Sequence, residues 1–163
     1  MKKKINSISI NKVDLLVYDF DGVMTDNKVL VFEDGREAVV CSRSDGLAAG
    51  MIKKLGVPQV IISTERNSVV AQRARKLGIE AIHGVKDKKI VLTEYCRKHN
   101  YTLKRVLYVG NDINDLEAMR LVGYPIAPLD AHEQIRRIAC YVTKAKGGQG
   151  VIREVIERVM KVF

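Results

Sequence analysis

Val13-Asp14-Leu15-Leu16-Val17-Tyr18-Asp19-Phe20-Asp21-Gly22 passes from an apolar run straight into two aspartates and a glycine. A short apolar run of this kind, closed by turn residues, reads as a buried strand. The strand then ends on carboxylates, and Gly22 lets the backbone turn sharply after them. Both features belong to a sheet that delivers polar groups at one edge.

Outward from this segment, further strands are expected over Val57 to Ile62, Ile79 to His83, Arg105 to Val109 and Ala139 to Thr143. Helical patterns lie between them. One follows Ser44-Asp45, with Leu47, Met51, Ile52 and Leu55 on one face, and others cover Asn67 to Leu77 and Asp87 to His99. A fourth begins at Asn114 and ends before Gly123, and the last covers Val151 to Val162. The alternation predicts an α/β fold, a doubly wound parallel sheet with helices on both faces. Val29 to Phe32 and Arg36 to Val40, turned at Asp34-Gly35, read instead as a β-hairpin that would form a small flap over the site. One domain over 1–163 is expected, with the flap at about 26–41 and no large cap.

Composition narrows the function. The chain has 163 residues, 47% hydrophobic and 29% charged, enough for a substantial core. No apolar run approaches the roughly 20 residues of a membrane span. Met1 to Lys4 is basic, but Ile5 to Asp14 is no apolar signal region, so a cytoplasmic location and no membrane partner are expected. Cys41, Cys96 and Cys140 form no CxxC pair, which argues against a zinc site or a disulfide framework. The net charge of +9 suits nucleic acid or a small anionic substrate. The basic residues are spread along the chain without interleaved aromatics, so no nucleic-acid partner is expected.

Ligands in open α/β sheets bind beyond the carboxyl ends of the strands. Those ends carry Asp19 and Asp21, Ser63-Thr64, Asp87-Lys88, and Gly110-Asn111-Asp112-Ile113-Asn114-Asp115. Clustered carboxylates take up protons or a cation, and oxygen ligands without Cys or His favour Mg2+. A metal-held phosphate would place phosphorus beside a carboxylate able to attack it. Taken singly, each element has a plain reading: a turn at Asp19 to Gly22, a strand-end hydroxyl at Ser63, a solvated Lys88, a helix cap at Asn114-Asp115. Their order along alternating strands is what joins them.

That ordered set resembles the haloacid dehalogenase (HAD) superfamily of phosphatases, from about Val13 to Val159. Within it, the short hairpin and missing cap are similar to the branch of 3-deoxy-manno-octulosonate 8-phosphate and 2-keto-3-deoxynononate 9-phosphate phosphatases. The same domain type accompanies the CMP-acylneuraminate synthetases. The resemblance implies a Rossmann-like core, Asp19 as nucleophile, Asp21 as general acid and base, and Ser63 and Lys88 on the phosphoryl oxygens. It implies Mg2+ on Asp19, Asp21 and a side chain of the Asn111-Asp112 segment, and a homotetramer in which each hairpin closes a neighbour's site. It also implies substrate contacts from Thr25, from the Ser44-Asp45 loop and from Gly148 in Lys146 to Glu154. One departure is Asn111, where the family has Asp, so metal binding is expected to weaken unless Asp112 or Asp115 compensates.

The segment after Ser63 bears on the substrate. Thr64-Glu65, followed by Arg73 and Lys76, resembles the nine-carbon branch, whose Glu and basic residues lie near the sugar. Arg73 and Lys76 are three apart, share a helix face and could meet a sugar carboxylate. A nonulosonate 9-phosphate of the sialic-acid type is therefore the expected substrate, with octulosonate 8-phosphate as the alternative. A silent tetramerisation domain associated with CMP-acylneuraminate synthesis is another. A receiver domain is disfavoured, because its acidic pair stands a whole strand–helix unit before the phosphorylated Asp.

Overall fold

The computed structural model describes residues 4–162; Met1 to Lys3 of the basic start and Phe163 lie outside them. The chain builds β1 (Leu15–Tyr18), β2 (Leu30–Val31), β3 (Glu37–Ala38), α1 (Arg43–Lys54), β4 (Gln59–Ile62), α2 (Val69–Leu77) and β5 (Glu80–Ile82). It continues with α3 (Lys88–His99), β6 (Val106–Val109), α4 (Leu116–Leu121), β7 (Tyr124–Ala127), α5 (Glu133–Ile138), β8 (Tyr141–Val142) and α6 (Val151–Glu154). Six strands form one sheet in the order β5-β4-β1-β6-β7-β8. Every pairing in it is parallel.

All four residues of β1 are buried, which suits a strand covered on both faces. Alternation sorts them. Leu16 and Tyr18 face a core shared with α1, α2 and α6, while Leu15 and Val17 face one built with α3, α4 and α5. β6 alternates in the same way: Leu107 and Val109 point to the first core, Val106 and Tyr108 to the second. The chain winds one way from β1 to β4 and β5, and the other way through β6, β7 and β8. Strand order thus reverses at β1, whose carboxyl end opens on Asp19.

β7 and α5 add a strand and a helix beyond those expected from the sequence. Pro125 sits at the strand's second position, and its carbonyl still accepts Cys140 N at 2.8 Å. α5 has six residues, too few to show a periodic face. The expected last helix divides into α6 and a π-helical turn, Val155–Val159.

The hairpin forms where expected, with Leu30 opposite Ala38 and Val31 opposite Glu37. Gly35 takes φ +81° at its turn, a conformation that favours glycine. The hairpin stands largely clear of the core, with Leu30 61% and Val40 70% exposed, while Val39 packs against the first core.

Candidate active site

Asp19, Ser63, Lys88 and Asn111 come from four strand ends or helix starts and are all buried. Parallel pairing of β4, β1 and β6 brings the first, second and fourth to one edge. Lys88 arrives because Asp87 caps α3, its Oδ1 accepting Lys89 N and Ile90 N, so the first helical side chain faces inward. Lys88 Nζ stands 2.7 Å from Asp19 Oδ1 and 2.8 Å from Asp115 Oδ1. Burial lowers the affinity of this amine for a proton, but the two carboxylates outweigh it and hold its pKa above the ordinary value.

Burial, then the Asp115 carboxylate, pushes the Asp19 pKa up to about 8 against the pull of Lys88. Asp19 Oδ1 also accepts the Phe20 amide at 2.7 Å. Burial and Glu65 likewise raise Asp21. A raised pKa lets a carboxyl hold a proton more readily, as a general acid must.

A pocket of about 80 Å³ is lined by Asp19, Asp21, Asn27, Ser63, Thr64, Asn111, Asp112 and Asn114. Its size suits an ion or a phosphoryl group. Asn111 Oδ1 is buried there without a hydrogen bond. Gly22 permits this placement, since a Cβ on it would lie 2.0 Å from Asn111 Nδ2. An orphaned carbonyl oxygen beside two carboxylates fits a hard cation such as Mg2+. Among the described residues no three His, Cys, Asp or Glu converge on a metal position, and the Asn111 amide oxygen is a further oxygen that the pocket offers beside Asp19 and Asp21.

Several expected contacts fall elsewhere. Asp115 cannot stand in for a missing metal ligand. Its Oδ1 accepts Lys88 and Tyr108, and its Oδ2 accepts Asn111 N at 2.9 Å and Asp112 N at 3.3 Å. Asp112 lines the pocket rim but turns its Oδ1 to its neighbour, Ile113 N. Lys88 is not a lining residue; it lies behind Asp19 as its counter-charge. Thr25 is spent inside the loop, accepting Gly22 N and Asn27 N and donating to Asp21. Asp45 is 2% exposed and accepts Arg153 N near the start of α6, while the Ser44 hydroxyl meets Ser42. Gly148 buttresses the first loop from behind: its N–H donates to Val23 O, and a Cβ on it would lie 2.6 Å from Asp26 N.

Glu65 folds back on Asn67 N, and Asn67 Nδ2 reaches Glu37 of the hairpin at 2.8 Å. Arg73 and Lys76 do share a helix face, but they line an adjoining groove with Cys41, not the small pocket. Arg73 Nη2 donates to the Ser42 carbonyl at 2.8 Å. The sequence reading missed Asn27 and Asn114 as lining residues. Asn27, at φ +63°, lies just beyond the acidic loop, and Asn114 Nδ2 donates to Thr64.

Comparison with known proteins agrees with this geometry. Residues 51–155 match the haloacid dehalogenase-like hydrolase family. The 3-deoxy-D-manno-octulosonate 8-phosphate phosphatase KdsC of Yersinia pestis is 32% identical over 91% of this chain and 80% of its own. An HAD-family hydrolase of Streptomyces avermitilis superposes with TM-score 0.93 at 44% identity, over 96% of this chain and 90% of its own. The Moraxella catarrhalis 8-phosphate phosphatase, solved with a magnesium ion, a phosphate ion and a KDO molecule, gives 0.87 at 33% identity. That match covers 90% of this chain and 84% of the other. With its family matched over most of the chain and its motif residues gathered at the switch point of the sheet, the protein belongs to the haloacid dehalogenase-like hydrolases.

Proposed function

We propose that this chain is a Mg2+-dependent phosphatase of a phosphorylated 3-deoxy-2-ulosonate sugar, acting through an aspartyl-phosphate on Asp19. The observation that carries the proposal is the buried Asp19 carboxylate, 2.7 Å from Lys88 and sharing its pocket with the orphaned Asn111 oxygen. Asp19, the Asp21 backbone carbonyl and Asn111 Oδ1 would hold the cation. When bound, Mg2+ neutralises the carboxylates and polarises the phosphoryl oxygens.

The Asp19 oxygen bonds to phosphorus as the bond to the sugar oxygen breaks, and Asp21 gives that oxygen its proton. Water then attacks phosphorus, Asp21 takes the proton back, and phosphate leaves with Asp19 restored. Ser63 donates to the phosphoryl oxygens, and Lys88 balances charge behind the nucleophile.

Glu65, Arg73 and Lys76 favour a nonulosonate 9-phosphate; the relatives' names favour octulosonate 8-phosphate equally well. A panel of the eight-carbon ester and two nine-carbon esters decides between them. A highest kcat/KM for the eight-carbon ester defeats the nine-carbon assignment. The exposed apolar side chains of the hairpin support association between copies of this chain, which we propose is a cytoplasmic homotetramer. No helix among the described residues is long and apolar enough to cross a membrane. Asn111→Asp should lower the half-saturating Mg2+ concentration about 3- to 10-fold, by replacing a neutral oxygen with an anionic one. Absence of phosphate release from both this variant and the parent would defeat the phosphatase proposal.

A further inference from the structure

Tyr108 has no part in the motifs that identify the site. It lies on β6, wholly buried, and its side chain belongs to the core under α3 and α4. Most of that core is apolar, so a hydroxyl there needs a partner. Its partner is Asp115 Oδ1, at 2.9 Å. That oxygen also accepts Lys88 Nζ, at 2.8 Å, and Lys88 reaches on to Asp19 Oδ1 at 2.7 Å. With two backbone amides on Oδ2, the Asp115 carboxylate receives four donors and has little freedom to turn. Two of the four tie it to the loop that carries Asn111. The other two tie it to the β6 core and to the ammonium. An ammonium is a point charge on a flexible stem, so its location depends on what fixes its acceptors.

We propose that Tyr108 is a positioning residue for the phosphatase reaction: its hydroxyl fixes Asp115 Oδ1, and through it the location of the Lys88 ammonium beside the nucleophile. A Phe at 108 keeps the ring and the core contacts but leaves Oδ1 with one donor fewer. Asp115 can then follow the ammonium away from Asp19. Placement for the chemical step suffers, while substrate contacts in the pocket stay as they were.

This inference rests on the phosphatase reading, so the parent must first release phosphate and Asp19→Asn must abolish the release. Failure of that control overturns the activity itself, and is seen before Tyr108 is touched. Given activity, Tyr108→Phe should lower kcat about 10- to 100-fold, the usual weight of a hydrogen bond to a charged group. KM should stay within about threefold, since ground-state binding is untouched. The melting temperature should fall by about 3 to 11 °C, the stability counterpart of the same hydrogen bond. Asp115→Asn and the double variant complete a cycle: losses that act through one carboxylate are not additive. Unchanged kcat in Tyr108→Phe, additive losses in the cycle, or a fall in kcat no larger than the fall in folded protein would each overturn the proposal.

Discussion

The phosphate corner and the hairpin-side groove lie on neighbouring parts of the same edge and are built on opposite plans. At the phosphate corner Asp19, Ser63, Lys88 and Asn111 are all nearly inaccessible, and each charge there faces another. In the groove, Arg73 and Lys76 sit with Cys41 and Val39 beneath a hairpin whose apolar side chains are open to solvent. Arg73 is turned onto the Ser42 carbonyl of its own chain. On the proposed function, the chemical step would be held by interlocked buried charge, and recognition of the sugar would fall to the more open side chains of the groove. That contrast makes graded predictions.

The largest effect should come from breaking the interlock. Lys88→Met keeps the length and apolar stem of the side chain but leaves Asp19 and Asp115 facing each other without a cation. Loss of the preorganised charge behind the nucleophile should lower kcat about 10³-fold. Breaking a buried pair costs about 3–5 kcal/mol. The loss of stability should grow above about pH 8, where the parent's Asp19 gives up its proton beside Lys88 and the variant's Asp19 has no cation to let it do so. Steady-state phosphate release, and melting curves at pH 6 and pH 9.5, read both. A variant with a tenth of the parent rate, or with equal melting losses at both pH values, would show that Lys88 is not the counter-charge.

Next is the proton that competes with the metal. The Asp19 pKa is raised to about 8, chiefly by burial and then by Asp115, whereas an unfolded Asp titrates near 4. Between those values the folded, metal-free chain holds a proton that the unfolded chain lacks. Its stability contribution therefore declines as pH rises from about 4 to about 8, and levels off above. Mg2+ must displace that proton, so the melting-temperature gain at fixed Mg2+ should be small at pH 6 and largest at pH 8 and above. Asp19→Asn should flatten the dependence. Equal gains at pH 6 and pH 8 in the parent would separate the metal from Asp19.

The same contrast explains what could be read in the sequence. Asp19, Ser63, Lys88 and Asn111 were legible because each stands where a periodic segment ends, and a parallel sheet brings such ends to one edge. The exhaustion of Asp115 was not legible. It depends on Tyr108 pointing to the α3 face and on two amides of its own loop, none of which has a pattern. Asp45 and Gly148 looked like substrate contacts because a loop sequence does not say which way it faces. The fold turns Asp45 onto the Arg153 amide and packs Gly148 against the backbone of the acidic loop. β7 was hidden by Gly123 and Pro125, which punctuate most strands but here only begin one.

The smallest effect belongs to the groove. Arg73→Ala removes a cation and also the bond to Ser42 O, so its loss mixes recognition with loop order. Lys76→Met removes a cation from the same groove and keeps most of the apolar stem, so it is the cleaner variant. If the groove meets the carboxylate end of an acidic sugar, Lys76→Met should raise KM for an ulosonate phosphate about 3- to 10-fold with kcat nearly unchanged. It should leave p-nitrophenyl phosphate, which has no carboxylate, unaffected. Equal losses on the two esters would mean that the groove shapes the phosphate corner and reads nothing of the sugar. The proposed division between a buried catalytic corner and an open recognition face would then fail at the point where it is easiest to measure.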